Sequence, residues 1–412
     1  MKTYWKFLAM AAIASMTFTT ACNDDEGGND NQGLKGNIPA GTTLSGNITA
    51  DATFTEGSTY KLSGGLHVKA GATLRIEKGV RVIAVDDELP DYILIEQGAK
   101  IDARGTASSP IVMTAELKQS GAWGGIHICG YAHTNAGTGV LSEIGNAPYG
   151  GSNDGDDSGM LRYIRLEYTG FALDEEHEAN GVSFYGVGNG TTVEYLQAYK
   201  GADDGFEFFG GSVNVKYLVA TSCSDDSFDW TEGWNGKGQF LVAYQEAEST
   251  LGYDCDCLME CDNNGNNAAA IPVAHPILAN VTLVGNNSAT GTRGVRLRAG
   301  TEVELYNAIV TGKSKCITVE TAETENSFSK VQNPSKLEYV SMSTPLDSKE
   351  GIYTNDKFAA ATSNITDYAN TLTDLYIGTI AGGRTLSDSF FTAAAYKGAV
   401  PVGNDWTADW TL

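Results

Sequence analysis

The chain has 412 residues, 51 of them acidic against 27 basic, for a formal net charge of −24. A surface this acidic repels phosphates, which excludes nucleic acid and anionic lipid as partners and disfavours polyuronates not coordinated through a cation. The 49 glycines and only 19% charged residues point to a turn-rich β protein with little charged helical surface.

At the start, Met1, Lys2 and Lys6 supply positive charge, Phe7 to Phe18 an apolar run, and Thr19-Thr20-Ala21-Cys22 a small-residue cleavage site. This pattern predicts an export signal over residues 1–22, too short to span a membrane. The site ending in Cys22 resembles a bacterial lipoprotein box, with Thr19 where the box usually has leucine. The resemblance implies a diacylated Cys22 and attachment to a membrane without a span. The adjoining Asn23-Asp24-Asp25-Glu26 resembles the acidic tag that carries Bacteroidetes lipoproteins to the outside of the outer membrane. Residues 23–36 are polar and glycine-rich and predict a flexible acidic tether.

Short strands come next. In residues 65–82 (GLHVKAGATLRIEKGVRV) apolar and polar residues alternate and glycine marks each corner. Similar segments occur at 92–103, 110–114 and 123–128. Residues 131–159 are rich in Gly, Asn and Asp, too polar for a core, and predict a loop on one side of the molecule. Strands resume at 161–166. Residues 193–208 (VEYLQAYKGADDGFEF) then recur as 215–230 (VKYLVATSCSDDSFDW), an offset of 22, and residues 180–186 align with 204–210 at an offset of 24. Self-similarity at this period marks a solenoid, and its β-branched and aromatic content makes it a β-helix. After a second excursion at 246–275, strands are expected at 277–284 and 303–310. The expected architecture is all-β: one right-handed parallel β-helix over residues 37–321, then less regular terminal coils over 322–412, with short helices near 355–361 and 387–396, that cap the open end.

Four phrases carry a wider resemblance: residues 121–126 (GAWGGI), 161–168 (LRYIRLEY), 203–211 (DDGFEFFGG) and 405–411 (DWTADWT). They resemble a family of exported Bacteroidetes proteins with a right-handed parallel β-helix of pectin-lyase-like shape. The resemblance covers nearly all of residues 37–412 and implies that fold, but little about activity.

The acidic repeat is where chemistry is expected. Strand alternation places Asp203, Gly205 and Glu207 on one face and Asp204, Phe206 and Phe208 on the other, with Asp225, Ser227 and Asp229 against Asp226, Phe228 and Trp230 in the next coil. Coils lie about 4.8 Å apart, so the carboxylates form a ladder that calls for protons or a cation. Calcium, with Asp203, Asp225 and Asp229 as oxygen ligands, is the expected ion.

Three readings remain open. Asp203/Asp204 and Asp225/Asp226 satisfy turn amides while Phe206/Phe228 and Phe208/Trp230 form an internal aromatic ladder. Alternatively, Glu207, Asp229 and Glu232 accept sugar hydroxyls while Trp230 and Trp234 stack on the rings, making a glycan-binding module. In the third reading, Asp203, Asp204, Asp225 or Asp226 act as acid and base of a polysaccharide hydrolase. Such pairs resemble polygalacturonase-type sites, but the accompanying His-Gly and Arg/Lys motifs are missing. A lyase would need a base, for which Arg293, Arg296 and Arg298 are the clustered candidates, read otherwise as strand residues balancing acidic neighbours. The expectation is a monomeric surface lipoprotein that binds a glycan or a partner protein; a glycan-cleaving enzyme and a scaffold or adhesin are the alternatives.

Beyond Cys22 there are six cysteines. Cys255, Cys257 and Cys261 invite local pairing, or pairing with Cys223, in an oxidising compartment, while Cys129 and Cys316 read as buried small hydrophobes. His275 is the only histidine near them, so a zinc site is not expected.

Overall fold

The computed structural model describes residues 33–173 and 177–412. The predicted export signal, Cys22 and all but the last residues of the tether lie outside the described residues. From Gly33 onward the described residues wind into a right-handed parallel β-helix of 24 strands, with a separate antiparallel pair near the C-terminus.

Each coil contributes to three sheets. The first is built from Gly36–Ile38, Ala52–Phe54, Thr73–Glu77 and Lys100–Arg104, and then from the N-terminal halves of longer strands. The second begins with the leading parts of Thr43–Ile48 and Thr59–Val68, passes through Arg81–Ala84 and Ile111–Ala115, and continues in the C-terminal halves of those longer strands. The third runs through Tyr92–Ile95, Ile126–Cys129, Val182–Tyr185, Phe206–Phe209, Phe228–Thr231, Met259–Asp262, Arg293–Arg298 and Lys315–Val319. Both repeat offsets are true registers: Val193 pairs with Val215, Phe206 with Phe228, and Val182 with Phe206.

The long strands, among them Gly159–Glu167, Thr192–Tyr199, Asn214–Thr221 and Lys237–Tyr244, bend from the first sheet to the second at a residue with positive φ: Tyr163 (50°), Tyr195 (58°), Tyr217 (58°) and Phe240 (59°). Left-handed backbone disfavours bulky side chains. Stacking offsets that cost here, with ring centroids 4.3 Å apart for Tyr163/Tyr195 and Tyr195/Tyr217 and 4.9 Å for Tyr217/Phe240.

The interior is one continuous column of aliphatic side chains that turns aromatic in the middle coils. Phe206 stacks on Phe228 at 5.6 Å and Phe184 on Phe208 at 5.1 Å, but Phe208 meets Trp234 at 4.2 Å rather than its register partner Trp230.

Three expectations change. The 131–159 excursion is not merely polar loop: Ala147 and Tyr149 pack with Cys129, Tyr185 and Phe209 on the outer face of the third sheet, because small and aromatic residues alternate with its polar ones. The 246–275 excursion carries a short helix, Glu248–Leu251, and a true coil strand, Met259–Asp262. Residues 322–412 divide. Lys336–Met342, Asp347–Ser348 and the helices Ala322–Ser327 and Asn355–Ala360 finish and close the stack, with Phe358 fully buried. The remainder turns back along the side of the helix. Tyr396–Val400 pairs with Gly378–Ala381, Ala399 N donates to Thr282 Oγ1 (2.8 Å), and Trp406 and Trp410 lie edge-on against the tyrosine corner. No helix forms over 387–396; Asp388 accepts from Phe390 N in a turn, and the strand starts only at Tyr396.

Candidate functional site

The acidic repeat lies where the chain passes from the second sheet to the third. The third-sheet strand begins only at Phe206, so alternation does not reach back to the aspartates. Asp203 and Asp204 sit together in the preceding turn and both face outward, which corrects the placement of Asp204 beside Phe206 and Phe208. The next coil repeats the turn with Asp225 and Asp226. Asp226 N donates to Asp204 Oδ1 (2.9 Å), and Cys257 N donates to Asp226 Oδ1 (2.6 Å). Half of the turn-binding reading therefore holds: one oxygen of each inner aspartate ties its coil to the next.

Along the adjoining strands, Ser183, Glu207, Asp229, Glu260 and Arg296 stack in register on the outer face. Turn and strand columns converge on a cleft of about 300 Å³ lined by Glu143, Glu178, Asp203, Asp204, Glu207, Asp225, Asp226, Asp229, Asp256, Glu260 and Arg296. Among the described residues, ten carboxyl groups thus line it with one guanidinium. Arg296 Nη1 holds Glu260 at 2.7 Å, and Arg298 reaches Glu260 and Asp262. These arginines balance acidic neighbours, as one of the two sequence readings had it, and Arg296 is half-buried in doing so.

Removing so many carboxylates from water favours their protonated forms. Burial, then the charges of Glu178 and Asp225, pushes Asp203 up to about 8. Burial, then Asp256 and Glu260, raises Asp225 to about 6, and burial lifts Glu143 to about 7. Burial also holds Asp204, Glu207, Asp226 and Asp229 well above the usual carboxylate range, with further contributions from the carboxylates around each of them.

A hydrogen-bond chain fixes the upstream wall. His127 Nε2 donates to Gly124 O (2.6 Å), so Nδ1 accepts from Ser183 Oγ (3.2 Å). Burial keeps this imidazole neutral, with its pKa pushed down to about 4. Asn180 Nδ2 donates to Ser183 Oγ (3.0 Å) and to Glu207 Oε2 (2.5 Å). With the amide so oriented, Asn180 Oδ1 is buried without a donor, and so is Asp229 Oδ1.

Ligand atoms within 4.8 Å of one another occur in four overlapping groups: Asp203/Asp204/Asp225, Asp204/Glu207/Asp229, Asp226/Asp229/Glu260 and Asp226/Asp256/Cys257. The expected trio Asp203, Asp225 and Asp229 is not among them, because the first two stand at the turn and Asp229 at mid-strand. The orphaned Asp229 oxygen and the all-oxygen donor sets fit a hard cation such as calcium.

A larger hollow of about 450 Å³ lies on the first sheet, lined by Glu56, Arg75, Glu77, Lys78, Asp102 and Arg104. Its opposite charges pair across it, as in Lys78–Glu56 (3.1 Å) and Arg75–Asp102 (3.3 Å), so it has no comparable excess of one sign.

The family model described as a pectate-lyase-like beta helix domain matches residues 46–411. The chain belongs to that family. No curated protein and no solved structure matches.

The pectate-lyase-like domain differs from sequence expectation at three proposed sugar contacts. Trp230 and Trp234 are each 1% exposed inside the helix, their indole N–H groups donating to Thr301 Oγ1 (3.0 Å) and Val213 O (3.2 Å). Neither can stack on a ligand. Glu232 sits beneath the 131–159 loop, accepting from Thr134 Oγ1 (2.7 Å) and Tyr149 OH (2.8 Å), and does not line the cleft. Glu207 and Asp229 do line it, as do Asp203, Asp204, Asp225 and Asp226. Among the described residues Cys129, Cys223, Cys255, Cys257, Cys261 and Cys316 are all free and buried, so the local pairings do not form. Cys255 and Cys257 flank a single residue in chain outside any strand, and Cys261 faces the interior column. Sequence reasoning missed Glu143, Glu178, Asn180 and Cys257. Asn180 had a signal, since it aligns with Asp204; Glu143 arrives on the covering loop and had none.

Proposed function

We propose that this β-helix is a cell-surface glycan-binding module whose acidic cleft takes its ligand through a bound divalent cation, calcium in the first instance. One observation carries the reading: among the described residues, ten carboxyl groups line one cleft with a single guanidinium. Such a cluster needs protons or cations, and a bound cation accepts sugar hydroxyls or a uronate carboxylate as its remaining ligands. With Trp230 and Trp234 in the core, sugar contact rests on coordination and hydrogen bonds rather than ring stacking. The reading includes the address expected from residues 1–36, a monomer anchored in the outer membrane through Cys22 and facing outward, with a partner protein as the other ligand class.

Glycan cleavage is the second reading, favoured by unequal protonation within one pair. Asp203, held up to about 8, is a proton donor at neutral pH, and Asp225, at about 6, an acceptor. Calorimetry against a panel of neutral and acidic glycans, with and without calcium, tests both, alongside an assay for new reducing ends. Binding that needs calcium and disappears in folded Asp203→Asn/Asp225→Asn supports the module. Reducing ends released by the parent but not the variant move the protein to the second reading. Neither binding nor cleavage returns the carboxylates to a scaffold role.

A further inference from the structure

The downstream end of the cleft differs chemically from the rest. In the turn position occupied by Asp204 and Asp226 in earlier coils, the next coil carries Cys257. Its residue is fully buried, and its thiol stands among carboxylates: Sγ lies 3.7 Å from Asp256 Oδ1 and 4.0 Å from Glu260 Oε2. The donor atoms of Asp226, Asp256 and Cys257 all fall within 4.8 Å of one another, and Asp226 also belongs to the group with Asp229 and Glu260. We propose that this end of the cleft is a site for a thiophilic divalent cation of the zinc class, held by Cys257 Sγ with Asp226, Asp256 and Glu260.

Three observations support it. Tetrahedral zinc with its usual bond lengths puts a sulfur and an oxygen ligand about 3.6 Å apart, close to the Cys257–Asp256 separation already present. Asp229 Oδ1, in the group that shares Asp226 and Glu260, is buried with no hydrogen-bond partner, an oxygen for which a nearby cation is the missing neighbour. Among the described residues the ion pairs of this cluster fall on Glu260 alone, through Arg296 and Arg298, so the carboxyl groups of Asp226, Asp229 and Asp256 have no cationic side chain paired with them. Binding is not a redox step: the Cys257 S–H bond breaks, its proton leaves to solvent, and the sulfur lone pair forms the metal bond. A thiolate ligand favours zinc or cobalt over calcium, whereas the oxygen-only groups nearer Asp204 favour calcium. The proposal extends the cation reading of the cleft and does not depend on a glycan.

The test uses the reduced, chelator-stripped full chain titrated with Co²⁺ and then Zn²⁺. Co²⁺ should give a near-ultraviolet sulfur-to-metal charge-transfer band that zinc displaces. Cys257→Ser should abolish the band and weaken zinc at least about 100-fold while leaving calcium binding unchanged. The fold should tolerate it, since the same register holds Asp in two coils. Asp256→Asn should weaken zinc with the thiol intact, and Cys223→Ser should change nothing. Absence of the band in the parent, or its persistence in Cys257→Ser, overturns the proposal. Zinc affinity equal in parent and Cys257→Ser does the same, and loss of glycan binding alone does not bear on it.

Discussion

Two columns on the outside of this helix are built by the same device and have opposite energetics. At the corner between the first and second sheets, Tyr163, Tyr195, Tyr217 and Phe240 repeat coil on coil, and the C-terminal strap covers them with Trp406 and Trp410. At the turn into the third sheet, Asp203 and Asp225 and then Asp204 and Asp226 repeat in the same register and line an open cleft. A parallel solenoid stacks like on like. For aromatic rings that stacking is attractive, and for carboxylates it is repulsive. The comparison separates residues that hold the fold from residues whose arrangement makes sense only with a ligand or a proton.

The largest effect is expected at the corner. Trp410 is fully buried, its indole donating to Trp406 O (2.7 Å), while Arg165 Nη1 donates to its carbonyl (3.3 Å). Trp410→Ala should cost about 3–5 kcal/mol in denaturant unfolding and leave cation binding in the cleft unchanged. Trp234→Ala should cost a similar ~3–5 kcal/mol, because Trp234 is core and not a sugar platform; a variant of parental stability that has lost glycan affinity would return Trp234 to the binding surface. A smaller effect is expected at Lys313, buried beside the cleft, whose Nζ donates to Cys255 O (3.1 Å), Asp256 O (2.8 Å) and Gly291 O (2.7 Å). Lys313→Met leaves those carbonyls short of a donor and should cost roughly 1–3 kcal/mol, read from the shift in unfolding midpoint. Smallest, and of opposite sign, is Asp204→Asn. It can keep the bond from Asp226 N without the proton that buried Asp204 must hold, and should stabilise the protein slightly at pH 8 while weakening calcium binding.

The solenoid and its register were legible because stacking writes itself into sequence as a repeat: Phe206 and Phe228 sit 22 residues apart in the chain and pair in space. The inward placement of Trp230 was also readable, since it alternates with Phe228. Its assignment to the binding surface favoured its chemistry over its position. Contacts that cross the fold left no such trace. Glu232 is covered by Tyr149 and Thr134 from a distant loop, and Glu143 enters the cleft from the same excursion. From sequence the strap reads as an end cap, because a segment without repeat pattern carries no information about which side of the stack it lies on. Cys257 was hidden by the insertion that precedes its strand, which breaks the constant offset and lets a coil position read as loop.

If the stacked carboxylates are held against their own repulsion until a cation arrives, stability must depend on pH and on that cation together. Asp225, Glu143 and Asp203, raised to about 6, 7 and 8, keep protons in the native state that the unfolded chain gives up near pH 4. Unfolding free energy should therefore fall as pH rises from about 5 to about 8, by several kcal/mol, at about 1.4 kcal/mol per pH unit for each retained proton. His275, paired with Glu302 and Glu304 and raised to about 9, also loses stabilisation as pH rises above about 6.5, but it lies outside the cleft and a cation there cannot restore its share. Calcium at pH 8 should recover most of the loss in the parent and little in Asp203→Asn/Asp225→Asn, which should show a flatter profile without it. A parent whose stability is flat or rising across that range, and indifferent to divalent cations at pH 8, would contradict the account.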